Sequence, residues 1–417
     1  MTKSRTLGFL LGALLSVVVG APGQAESPLT IGFSMPLTGG LAPNGRAGLL
    51  AMQIWEADTN AKGGLLGRPV KLIYYDDQSN PALVPGIYTK LLDVDRTDLV
   101  ISSYGTNMVA PAMPIVMQHN RFFLGLLALA INSQFNYPKY FSILPAGGPE
   151  PKQSFSAGFF AVAMAQDPKP QTLALVWADA EFAHNAMDGA RVLAKQAKLK
   201  VVYDRSYPPS TTDYTPIIRA IQATNPDLVF VASYPPDTVG MVRAANEVGL
   251  KAKLFGGGMV GLQSTAIKTQ LGPSLNGIVD YDLWLPISSY ATPEAMAFLD
   301  KYQQKSASAG VDVLGYYLPP FAYSDLQVLA EAVTATKSTD SDKLADYCRT
   351  HTFKTIAGDI KFGPNGEWVE PRVMEVQFQN VQGHELQQFK DLKAEIVLWP
   401  PELATGKLIY PYADAKR

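Results

Sequence analysis

The chain is poor in the residues that most chemistries need. It has one cysteine in 417 residues, Cys348, so no intramolecular disulfide can form. Lys and Arg number 35 against 37 Asp and Glu, a formal net charge of −2. With no basic excess to follow a phosphate backbone, nucleic acid is not an expected partner. The four histidines, His119, His184, His351 and His384, lack metal-ligand spacing, so no metal or other cofactor is expected. There is no GxSxG elbow and no Walker loop. Asp76 and Asp77 are adjacent, so in a strand they face opposite ways and cannot work as a carboxylate pair. No catalytic residue can be named, and an enzyme is not expected. Gly256, Gly258 and Gly261 spell GxGxxG with Asp280 downstream, but the motif stands late in the chain and alone is weak.

What is present is apolar. Hydrophobic residues make up 47% of the chain and charged residues 17%, enough for one large or two medium cores. Residues 1–25 read as a secretory signal peptide: Lys3 and Arg5 are followed by an uncharged stretch over 7–19 and by Gly23-Gln24-Ala25. That stretch would rise roughly 20 Å as a helix, short of the ~30 Å hydrocarbon core, and no later segment is long enough to span it. No cysteine stands at the cleavage site for lipid attachment, so the expected product is a free soluble protein outside the cytoplasm. Cys348 sits on an expected helix face and reads as a buried apolar group.

Strand-like runs alternate with helix-periodic stretches. Residues 29–33, 70–75 and 98–102 read as strands, with a helix over 45–61 ended by Gly63-Gly64. A second series has strands over 172–177, 200–203, 227–232 and 253–256. This is the pattern of parallel sheets covered on both faces. A Pro/Gly-rich passage over 144–151 separates the series. After about residue 277 the rhythm becomes helical (293–308, 318–336, 341–351). A strand pair over 358–362 and 372–378, joined by Asn365-Gly366, then follows. Two α/β halves predict two lobes, with ligand contacts on loops at the carboxyl ends of strands.

Three passages carry a resemblance: Pro36-Leu37-Thr38-Gly39-Gly40-Leu41-Ala42-Pro43-Asn44-Gly45, Asn60-Ala61-Lys62-Gly63-Gly64-Leu65-Leu66-Gly67-Arg68-Pro69, and Asp76-Asp77-Gln78-Ser79-Asn80-Pro81. Residues 316–328, 358–366 and 399–411 extend it along the chain. The sequence resembles the periplasmic binding proteins of branched-chain amino-acid ABC importers. The resemblance implies a type I periplasmic binding fold, an α/β architecture of two Rossmann-like lobes with parallel sheets joined by a three-stranded hinge. The first lobe would hold residues 28–147 and 282–355, and the second 148–281 and 356–417. The crossovers would fall near 145–152, 277–284 and 355–358. It further implies a periplasmic monomer that closes on a small-molecule ligand and delivers it to a membrane permease.

The same resemblance places the site. The loop Tyr104-Gly105-Thr106 would hold a ligand carboxylate, which suits the amides and positive dipole of a helix start. Thr106 supplies the hydroxyl, with an ordinary helix cap as the alternative. Where the family uses a hydroxyl-bearing turn, this chain has Leu126-Leu127-Ala128-Leu129-Ala130-Ile131, which makes Ala128 and Leu129 an apolar wall. Phe182 replaces a polar aromatic. Tyr234 is a further wall, and Asp237 falls where amino-acid binders carry the acid for the ligand's ammonium, or else caps the following helix. Leu41 and Asn44 in the first loop and Met259 after a strand complete the implied set, with Trp284 a possible extra wall. An α-amino acid needs partners for both charges. This set keeps the anion end and gains rings, so the expected ligand is an aromatic carboxylate, benzoate-type or phenylpropanoid. A branched-chain amino acid is the alternative.

Overall fold

Strand β1 (Leu29–Met35) runs parallel to β2 (Val70–Asp76), in register from Leu29 opposite Val70 to Met35 opposite Asp76. The structure is a computed structural model that describes residues 1–2 and 27–416. The expected signal peptide therefore falls almost wholly outside the described residues. Between the two strands lies α1 (Ala42–Ala61), which buries Ala47, Ala51, Met52, Ile54 and Trp55. It stops at Gly63 and Gly64, both at positive φ, where Gly64 N–H returns to Thr59 O over 3.0 Å. Only glycine adopts that turn without strain.

Next come α2 (Val84–Thr89), β3 (Leu99–Val100), α3 (Thr106–Gln118), β4 (Phe123–Leu126), α4 (Asn132–Phe135) and β5 (Tyr140–Ile143). β3 lies beside β1, and β4 pairs with β5. Ser102 N–H to Leu124 O and Gly105 N–H to Leu126 O, both 3.0 Å, join the two pieces. The first lobe is thus built on five parallel strands in the order β2-β1-β3-β4-β5.

The second sheet follows α5 (Pro151–Met164). It takes β6 (Thr172–Ala178), α6 (Glu181–Gln196), β7 (Lys200–Tyr207), α7 (Thr215–Ala223), β8 (Leu228–Ser233), α8 (Pro235–Val248), β9 (Leu254–Met259), α9 (Thr265–Leu271) and β10 (Val279–Asp282). The chain then returns to the first lobe with α10 (Pro293–Ala309), α11 (Leu318–Thr336) and α12 (Ser341–Thr350). α11 packs on α1 so closely that a Cβ at Gly48 would meet Leu318 at 2.8 Å.

The end of the chain departs from expectation. Strands β11 (Thr352–Thr355) and β12 (Gly358–Lys361) pair with each other, so 355–358 is a hairpin turn rather than a crossover. The expected pairing of 358–362 with 372–378 does not form either. The turn at Asn365-Gly366 is real, but its return arm is one bridge, Phe362 opposite Trp368. The Trp368 ring then docks on the first lobe, its Nε1 donating to Ser142 O over 2.9 Å, and Phe362 stacks edge-on to Phe141. The third crossing therefore lies near 368–373, beside the first: Gly148 N–H meets Trp368 O and Arg372 N–H meets Pro145 O, each at 2.7 Å. Beyond it β13 (Met374–Phe378), α13 (Gln387–Lys390) and β14 (Glu395–Trp399) complete a seven-stranded sheet, β14-β13-β10-β9-β8-β6-β7. One strand, β13, is antiparallel to both its neighbours, β10 and β14.

The GxGxxG glycines serve this sheet. Gly256 lies inside β9, where a Cβ would meet Val279 O at 1.7 Å, and Asp280 is fully buried, accepting Met259 N–H at 2.8 Å. Gly256 thus permits close strand packing.

Candidate ligand-binding site

The two sheets face each other by their carboxyl ends, where open α/β sheets bind ligands. A small cavity lies between them. Many of its lining residues follow strands: Leu41 after β1, Tyr104 to Asn107 after β3, Leu127 and Leu129 after β4, Phe182 after β6, Tyr234 after β8; Phe155 comes from α5, Tyr281 from β10 and Tyr317 from the start of α11.

The loop after β3 is held from below. Buried Asp77 accepts the hydroxyls of Ser103 at 2.6 Å and Ser34 at 3.0 Å, and burial raises its carboxyl above the usual range. Ser102 Oγ accepts Leu126 N–H at 2.7 Å. Gly105, at φ +86, then turns the chain into α3. The amides of Thr106 and Asn107 open that helix and meet no protein acceptor among the described residues. Thr106 Oγ1 accepts Leu129 N–H at 3.0 Å, which leaves its own hydroxyl proton free to donate. This end of the cavity is all donors.

The remaining wall is apolar, with aromatic rings beside the aliphatic Leu41, Leu127, Leu129, Leu144, Val260 and Leu283. Tyr104, Tyr317, Tyr281, Phe155, Phe182 and Tyr234 form a continuous chain of ring contacts with centroids 4.8–6.4 Å apart, most of them edge-to-face. Among the described residues no Lys, Arg, His, Asp or Glu lines the cavity.

Of the residues expected in the site, Leu41, Tyr104, Gly105, Thr106, Leu129, Phe182 and Tyr234 line the cavity. Four do not. Asn44 stands behind Tyr104 and donates to its hydroxyl over 2.9 Å. Ala128 points into the first lobe's core. Met259 is fully buried in the second. Asp237 is turned away: its carboxylate accepts Tyr234 N–H at 2.9 Å, closing the start of α8, and takes the Tyr207 hydroxyl at 2.5 Å. Burial raises it to about 6. Trp284 is also a core residue, packed on Tyr316.

Sequence reasoning missed Leu127, Leu144, Phe155, Val260, Tyr281, Leu283 and Tyr317. Tyr317 lies inside the 316–328 passage that carried the resemblance, and that was its only signal.

A profile of the family described as periplasmic binding protein matches residues 28–380. The chain belongs to that family. It is a binding protein rather than an enzyme, and its place is extracytoplasmic. The Leu/Ile/Val-binding protein homolog 8 of Brucella abortus is 25% identical over 393 residues, covering 91% of this chain and 95% of that one. Two solved structures share the fold. A solute binding protein from Rhodopseudomonas palustris in complex with 3,4-dihydroxy benzoic acid has TM-score 0.72 and 17% identity over 86% of this chain and 95% of its own. A branched-chain amino acid transporter substrate binding protein from Streptococcus pneumoniae in complex with isoleucine has TM-score 0.71 and 17% identity over 90% of this chain and 100% of its own.

As a periplasmic binding protein the molecule is in its closed form. Asn107 Oδ1 on the first lobe accepts both Phe182 N–H and the Tyr234 hydroxyl of the second, each at 3.0 Å. Asn185 Nδ2 on the second donates to Leu129 O at 2.9 Å. Across the other side Asp312 accepts Thr265 N–H and its hydroxyl, at 2.7 and 2.9 Å.

Proposed function

We propose that this binding protein captures a small aromatic carboxylate, benzoate-type or phenylpropanoid, and presents it as a monomer to its permease. The single observation that carries the reading is the cavity itself: a chain of six rings closing on an end made only of donors, with no charged side chain between. The carboxylate takes the amides and hydroxyl at the start of α3, where the helix dipole favours an anion. The ring lies against Phe155, Phe182 and Tyr281, where edge-to-face contacts add to burial.

A branched-chain amino acid is served less well. Its ammonium needs acceptors, and a buried unpaired charge costs several kcal/mol. Asp237, the acid expected to meet it, is engaged by Tyr207 and by the start of α8. The solved relatives with dihydroxybenzoic acid and with isoleucine match this chain equally well, so the overall fold favours neither ligand.

Calorimetric titration of the mature protein with benzoate, cinnamate, leucine, isoleucine and valine tests the reading. It expects binding by an aromatic acid and none by the amino acids. The reverse result would discard it.

A further inference from the structure

The side of the cavity beyond the carboxylate end is built from three tyrosines brought from distant parts of the chain. Asn44 Nδ2 donates to Tyr104 Oη over 2.9 Å, Tyr104 donates to Tyr317 over 3.2 Å, and Tyr281 donates to Tyr317 over 3.2 Å. All three rings are buried and all three line the cavity.

A proton count shows what is left over. Three phenols bring three hydroxyl protons, and the two links between them use two. Asn44 meets the cluster through a nitrogen that only donates, so it cannot take the third. In this arrangement the spare proton is on Tyr317, whose oxygen already accepts twice. Tyr281 is complementary: its oxygen donates once and accepts nothing among the described residues. The cluster therefore offers one donor and one acceptor side by side. A buried donor without an acceptor is destabilising, and no carboxylate or imidazole in the cavity supplies a lone pair.

A hydroxyl group is the partner that fits, because it has one proton to give and lone pairs to receive. A carboxylate would satisfy Tyr317 and set a lone pair against Tyr281. We propose that the tyrosine cluster is a second polar subsite that recognises a hydroxyl on the ligand's ring, so that the cargo is a hydroxylated aromatic acid. This rests on the aromatic-carboxylate reading, which assigns the acid group to α3 and leaves the tyrosines for the ring substituent.

The test is a titration of benzoate, 3-hydroxybenzoate and 4-hydroxybenzoate against the mature protein and its Tyr317→Phe variant. A second variant, Tyr281→Phe, serves if the first does not fold, and a melting scan decides that. The expected result is a hydroxybenzoate bound about tenfold or more tighter than benzoate by the native protein. In the variant the ratio of hydroxybenzoate to benzoate affinity falls to about one. Equal binding of all three acids by the native protein overturns the subsite and leaves the aromatic reading standing. Equal weakening of benzoate and the hydroxybenzoates by Tyr317→Phe overturns it as well, because the tyrosines would then be holding the carboxylate. Binding of leucine or isoleucine with no binding of any benzoate removes the reading on which the subsite rests.

Discussion

The side-chain oxygen of Asn107 accepts the backbone N–H of Phe182 at 3.0 Å, although the two residues belong to different lobes. The same oxygen takes the Tyr234 hydroxyl, so one amide group on the first turn of α3 fastens two loops of the second lobe. Both bonds exist only when the lobes are together.

Asn107→Ala should therefore shift the protein toward its open form. Two lost hydrogen bonds of about 1 kcal/mol each predict ligand affinity lower by roughly tenfold or more, mostly through faster release. Stopped-flow tryptophan fluorescence reads the rates, and small-angle scattering should show a larger radius of gyration. Unchanged release would mean that Asn107 does not fasten the lobes.

Thr106 has two duties, and substitution separates them. Thr106→Ala removes the hydroxyl that would face the ligand and strips Leu129 N–H of its acceptor, a loss of about 1–3 kcal/mol in stability. Thr106→Ser keeps both. Calorimetry should show binding weakened about tenfold or more in the alanine variant and near native in the serine variant. Native affinity in both would remove Thr106 from the site.

Asp237 gives a pH signature that leaves binding untouched. Its carboxyl is raised to about 6 by burial, above the 3.8 it has when free. The folded state therefore holds the proton more tightly. Its contribution to stability is full below pH 3.8 and is lost as pH rises through about 6. Asp237→Asn removes the charge that burial disfavours. Relative to the native protein it should melt higher at pH 7 than at pH 4, with ligand affinity altered less than about twofold because the side chain lies outside the cavity. A large fall in affinity would return Asp237 to the ligand.

Lys268 and Glu395 form an ion pair at 2.8 Å with both side chains almost fully buried, tying α9 to β14. Removing one partner leaves a stranded charge. Lys268→Met or Glu395→Leu alone should lose about 3–5 kcal/mol in urea denaturation, whereas the two changes together should lose far less. Additive losses would contradict the pairing.

Much of this was legible in the sequence, and the limits have physical causes. The alternation of strand and helix is a local signal, and so is the Gly63-Gly64 stop of α1. Thr106, which the resemblance implied as a carboxylate contact, lines the cavity. The place of Asp237 was not legible, because an acid three residues into a helix suits a cap and a ligand equally, and only the neighbouring Tyr207 hydroxyl decides. Tyr317 meets Tyr104 from 213 positions away, and Tyr281 of the second lobe meets Tyr317, which no local pattern encodes. The crossing near 355–358 was implied by the resemblance alone. The docking of Trp368 on Ser142 is what keeps that segment on the first lobe.

Among the described residues no ionised side chain lines the cavity, so on the proposed reading dipoles alone hold the ligand's charge. A carboxylate bound as the anion, with no proton taken up, brings that charge with it. The filled protein then differs from the empty one by a full negative charge, visible as faster migration toward the anode in a native gel. Its affinity should also vary little with ionic strength, since buried dipoles are not screened as surface ion pairs are.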